Sequence, residues 1–169
     1  MAVSAALLAL TAAGCASADD SADGVGLATS DGATTARTLE PCALLSTTNI
    51  DRVMGWTLPA GSRATAAERD GWSICNWEDP AVGAVQVQVH DGDGRAIFDQ
   101  RRHELDVSGS VSARDAAVTG ADQAYDSADA GVVGLRIGQR FVQVTVIGPI
   151  TGDHQHLELA GAVVGAVLR

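Results

Sequence analysis

The succession of hydrophobic patterns predicts an α+β domain, an antiparallel sheet packed by helices. Three observations carry this. Ala84-Val85-Gln86-Val87-Gln88-Val89-His90 alternates apolar and polar residues with period two, the mark of a strand with one buried face. Val132–Ile137 and Phe141–Ile147 are Val/Ile-rich runs joined through Gly138-Gln139-Arg140, which reads as a hairpin. Segments with helical spacing precede, separate and follow the strands, giving the order helix, strands, helix, strands, helix.

The folded part is expected to begin at Leu39-Glu40-Pro41-Cys42. Ser46-Thr47-Thr48-Asn49 offers several N-cap residues, and Ile50, Val53 and Met54 fall at helical spacing before Gly55 stops the run. A Gly/Pro-containing loop follows, then Ser73–Trp77 as a first strand and Ala84–His90 as a second. Asp91-Gly92-Asp93-Gly94 makes a turn, and Arg95–Leu105, with Ile97, Phe98, Arg101 and Leu105, forms a second helix. Val107–Val118 is ambiguous, with room for one short strand. After the hairpin, Asp153 begins a last helix whose Leu157, Ala160, Gly161, Val164 and Leu168 are expected to face one way.

The N-terminal segment carries the sharpest chemical signal. An apolar run from Ala5 to Gly14 ends at Cys15, and Ala12, Ala13 and Gly14 are small. The run is shorter than the roughly 20 residues that span a bilayer, but it suits the core of an export signal. This pattern resembles a bacterial lipobox. It predicts a signal peptide at 1–14, cleavage after Gly14, and a Cys15 thiol carrying diacylglycerol with palmitate-type acyl chains. Each buried CH₂ contributes about 0.8 kcal/mol, and two or more chains anchor stably. The first basic residue is Arg37, so the basic start of a signal is missing; the true start lies upstream of Met1, or the signal is poor. Residues 15–38 are Ser-, Thr-, Gly-, Asp- and Ala-rich and read as a disordered tether with a root-mean-square span of roughly 25 Å. The plainer alternative is an apolar N-terminus with an incidental cysteine.

Without the signal about 155 residues remain, enough for one domain, here 39–169. Lysine is absent and all eleven basic residues are Arg, a composition typical of a GC-rich, actinobacterial genome. The net charge of −10 argues against nucleic acid as a partner and against electrostatic attraction to anionic lipid.

Pro41-Cys42-Ala43-Leu44-Leu45, Ile50–Gly55, Cys75-Asn76-Trp77, the stretch Val118–Tyr125, the Val/Ile hairpin and the Ala-rich final helix together resemble the DUF3558 family of actinobacterial lipoproteins. The resemblance covers nearly all of Leu39–Arg169. It implies secretion, lipid anchoring and a small α+β domain, and supplies no catalytic residues. The topology is also similar to the PsbP-like α-β-α sandwich, which implies no activity.

With Cys15 assigned to lipid, Cys42 and Cys75 are left in an oxidising compartment, where pairing is the default. A redox role would want a Cys-x-x-Cys spacing, which is missing. Trp77 is expected near the bridge. His154 and His156, with Asp153 and Glu158, have metal-binding chemistry, but side chains at i and i+2 of a helix diverge by roughly 200°. They read as solvated polar residues at a helix start. Asp91–Gly94 hints at a calcium loop, yet the twelfth position from Asp91 is Arg102 where a bidentate Glu is required. Arg101-Arg102-His103 reads as a solvated helix face. No Gly-x-Ser-x-Gly elbow occurs. Catalytic residues, metals and cofactors are accordingly expected to number none.

Two functions follow. The first is a non-enzymatic binding or interaction module, lipid-anchored on the outer face of the cytoplasmic membrane and presenting a sheet or groove to an envelope protein, lipid or glycan. The alternative is a small cell-envelope hydrolase using His90, His103, Asp91 or Asp93 as acid/base groups.

Overall fold

In this computed structural model, residues 38–63, 71–109, 111–150 and 154–169 are described. The described residues all belong to one compact unit. The signal, Cys15, the tether up to residue 37, and Asp153 lie outside the described residues.

Helix α1 is the single turn Pro41–Leu44, begun by a proline whose missing N–H costs nothing at a helix start. Helix α2 (Thr47–Met54) is capped by the Ser46 Oγ, which accepts from the Asn49 N–H at 3.2 Å. It ends on Gly55, whose φ of +69° is the left-handed conformation that closes helices. The strands are β1 (Ser62–Arg63), β2 (Trp72–Asp79), β3 (Gly83–Asp91), β4 (Arg114–Asp115), β5 (Gln123–Ser127), β6 (Val132–Ile137) and β7 (Arg140–Ile147). Helix α3 (Gly94–Ser108) follows β3, and α4 (Gln155–Val167) follows β7.

Among the described residues the sheet has seven antiparallel strands in the order β1-β2-β3-β7-β6-β5-β4. Two meanders, β1-β2-β3 and β4-β5-β6-β7, meet at the central β3–β7 pair. Helix α3 carries the chain from the centre to the far edge, from which it returns strand by strand.

Strand alternation sorts the side chains into two layers. Cys75 and Trp77 of β2, Val85, Val87 and Val89 of β3, Val142, Val144 and Val146 of β7, and Val133 and Leu135 of β6 share one face, which α1, α2 and α4 cover. On the other face α3 sits over Phe141, Tyr125 and Val132, inserting Phe98 among them. Phe98 lies 5.1 Å from the Tyr125 ring and 6.4 Å from Phe141, centroid to centroid. Room for Tyr125 comes from Gly134 opposite it, where a Cβ would come within 2.2 Å of the phenol ring.

Cys42 of α1 and Cys75 of β2 form a disulfide, with Cα atoms 5.1 Å apart and a separation of 33 positions in sequence. Trp77 is buried next to it, since a Cβ on Gly61 would meet both the Trp77 ring at 2.4 Å and the Cys75 Sγ at 2.8 Å.

Several elements differ from expectation. Strand β5 lies in the stretch Val118–Tyr125 and just beyond it, where pattern alone gives no strand, because only five residues pair and two of its inward positions are Ala and Asp. β4 is the short strand allowed for in Val107–Val118. The buried seam of α4 is His156, Leu159, Ala160, Val163 and Val164, so only Ala160 and Val164 of the expected stripe belong to it, and Leu168 is 60% exposed. The helix is rotated so that His156 reaches the sheet, a preference that hydropathy cannot register because it scores histidine as polar.

Candidate ligand-binding surface

Helix α3 covers only part of its face of the sheet. Across β2, β3, β7, β6 and β5 the register places Trp72, His90, Phe141, Arg136 and Gln123 in one row, and Ile74, Gln88, Gln143, Gly134 and Tyr125 in the next. A third row holds Asn76, Gln86, Thr145, Val132 and Ser127. The helix lies over the β5–β6 side of these rows and over the Phe141 corner. On the β2–β3–β7 side the face is a strip of half-buried amides and a hydroxyl, Asn76, Gln86, Gln88, Gln143 and Thr145, with Ile74 beside Gln88 as its apolar member.

The strip is internally ordered. Gln86 donates from Nε2 to Asn76 Oδ1 at 2.8 Å, Gln88 Nε2 donates to Gln86 Oε1, and Gln143 Nε2 donates to Thr145 Oγ1 at 3.2 Å. Chained amides polarise one another and hold each other's rotamers. At the end of the strip Trp72 meets His90 and Phe141 edge-on, and the Arg101 guanidinium lies 4.8 Å from the centroid of its indole. Arg101 also donates to Glu104 Oε2 at 2.8 Å. The Glu104 carboxyl sits below the usual carboxylate range, first because Gln100 donates to it at 2.9 Å and then because of Arg101.

On the opposite face a cavity of about 480 Å³ opens where the chain joins α1, walled by Leu39, Leu44, Ala166 and Val167 with Arg140 and Arg169 at its rim. Arg140 Nε donates to Asp91 Oδ1 at 2.7 Å. Further along this face, His156 is 4% exposed and its Nε2 lies 2.7 Å from Asp126 Oδ1 on β5. The expectation that both histidines of this helix start are solvated therefore holds for His154, which is exposed, and fails for His156.

The acid/base candidates do not converge. His90 and Asp91 are consecutive on β3 and face opposite sides of the sheet. The His90 Nδ1 is 3.0 Å from the Gly92 carbonyl, and Asp91 holds Arg140. Asp93 accepts from the Ala96 N–H at 3.3 Å as the cap of α3, and His103 is on that helix's exposed side. The remaining members of the basic triplet are engaged, Arg101 as above and Arg102 with Asp115 at 2.5 Å. Among the described residues no three His, Cys, Asp or Glu side chains gather as metal ligands, and no helix is long and apolar enough to cross a membrane.

The amide strip was legible only as the polar half of the β3 alternation. That it joins Asn76 and Gln143 into one patch depends on register. Comparison with protein-family models, curated proteins and solved structures finds no match to the chain.

Proposed function

We propose that this chain is an extracytoplasmic lipoprotein of the DUF3558 type, a non-enzymatic binding module anchored by lipid on Cys15 and offering its folded domain to a ligand or partner in the cell envelope. The observation that carries this reading is the Cys42–Cys75 disulfide. Structural disulfides persist in exported proteins and are rare in reducing cytosol. The lipobox-like run before Cys15 supplies the export route and the anchor, and the acidic surface suits a soluble domain held by lipid and not by charge. Among the described residues, the ordered amide strip and the cavity at the α1 end are surfaces suited to binding.

Fractionation of cells producing the full chain tests it. The unsubstituted protein should partition with membranes and take up labelled fatty acid, and Cys15→Ser should abolish both. Non-reducing peptide mapping should recover Cys42 and Cys75 as one linked pair. A Cys15→Ser protein that stays anchored and labelled, or free thiols at both positions in exported protein, would refute the proposal.

A further inference from the structure

We infer that the strip of Asn76, Gln86, Gln88, Gln143 and Thr145 is the binding face, and that its ligand is a neutral saccharide. This deepens the binding-module reading and rests on it.

The first argument is charge. The chain carries a net charge of −10, yet the two sheet rows that contain the strip hold no ionised side chain from β2 to β5. Burial pushes the Tyr125 hydroxyl above its ordinary range, which keeps that row neutral well into alkaline pH. The strip itself holds no cation, and the nearest ones on this face are engaged, Arg101 with Glu104 and Trp72 and Arg136 with Gln123, so the strip gives little to a phosphate or carboxylate and the overall acidity disfavours one. It is polar, so a lipid tail would leave the Asn76 NH₂ and the Gln88 carbonyl at the ends of its amide chain without partners. An extended peptide recognises a sheet through a free edge, whereas these residues sit on the interior strands β2, β3 and β7.

The second argument is chemical complementarity. A sugar hydroxyl donates one hydrogen bond and accepts others, so it is best met by side chains that combine both roles at close spacing. Carboxamides do this, with two donor hydrogens and a carbonyl apiece. The strip joins them in a directed chain from Gln88 through Gln86 to Asn76, in which each carbonyl used is matched by a donated N–H. The NH₂ of Asn76 ends the chain as donor, and the Gln88 carbonyl ends it as acceptor. Strands spaced about 4.8 Å apart and same-face residues about 7 Å apart make the patch as broad as one or two pyranose rings. The amides are already held by one another, so little rotamer freedom is left to lose on binding. An N-acetylated sugar fits best, since its acetamido group pairs with a carboxamide.

Nitrogen-15 NMR of the full chain carrying Cys15→Ser reads the side-chain NH₂ signals of these residues directly. With tetra-N-acetylchitotetraose and maltohexaose as the probes, at least one should shift the Asn76, Gln86, Gln88 and Gln143 signals saturably. Gln143→Ala and, independently, Gln88→Ala should each weaken binding about 3- to 10-fold, the loss of one hydrogen bond, with backbone spectra otherwise unchanged. No saturable shift from either sugar, or shifts confined to residues around Arg140 and Arg169, overturns the assignment. Membrane partition of the Cys15 form is measured separately, so failure here leaves the anchored-module reading to its own test.

Discussion

Tyr125 is the only tyrosine in the chain, fully buried between Phe98 and Gly134, and its hydroxyl has no hydrogen-bond partner among the described residues. Desolvation disfavours the phenolate, so the folded-state pKa lies above the unfolded value near 10. The sign follows. Above pH about 10 the unfolded chain releases a proton that the folded one retains, so this group's stabilising effect is complete below that pH and is lost as pH rises past it. Spectrophotometric titration should show no phenolate at pH 10 to 11 while circular dichroism remains native, and ionisation should coincide with unfolding. A smooth titration centred near 10 in the folded protein would contradict the burial. His156 poses a second case. Its bond to Asp126 fixes the first turn of α4 on β5, so His156→Ala should cost roughly 2–3 kcal/mol, from one lost hydrogen bond to a charged group and a small cavity. Asp126→Asn keeps an acceptor and should cost about 1 kcal/mol, measured by urea unfolding.

At the scale of elements, α1 is too short to be stable alone, since a helix of one turn has not repaid its nucleation. It is held by the disulfide to β2 and by packing against α4. Closing a loop of this length stabilises by about 3–4 kcal/mol in the chain-entropy model. The Cys42→Ala, Cys75→Ala double variant should therefore unfold at lower denaturant by that amount, with protection from hydrogen exchange lost first around α1. A change under about 1 kcal/mol would mean that packing against α4, not the bridge, holds this turn. Helix α3 shows how pattern and context divide the work. Its capping by Asp93 is local, but the seating of Phe98 among Tyr125, Val132 and Phe141 and the engagement of Arg101 with Trp72 arise from strands distant in the chain.

For the whole molecule, the lipid and the fold are proposed to act independently. The described residues make one unit, so Cys15→Ser should release the protein from membranes without altering its unfolding curve. A concurrent loss of stability would show that the N-terminal segment is part of the folded structure. Among the described residues the sheet has two-residue strands at both edges, β1 and β4, which by themselves offer little backbone to another chain.

From sequence alone, the α+β class, the hairpin of β6 and β7, the alternation of β3 and the start of α2 within Ser46–Asn49 were determined, and Cys42 with Cys75 was the expected pair, because each depends on neighbours in the chain or on counting thiols. The expected functional signal at Cys15 is of the same local kind. What only the tertiary structure decided was the phase of α4, the existence of β5, the burial of His156 against Asp126 and the union of amides from three strands into one strip. The physical reason is common to these. Each is fixed by register and packing between residues brought together from distant parts of the chain, 30 residues apart for Asp126 and His156, and periodicity within a single segment carries no record of such partners.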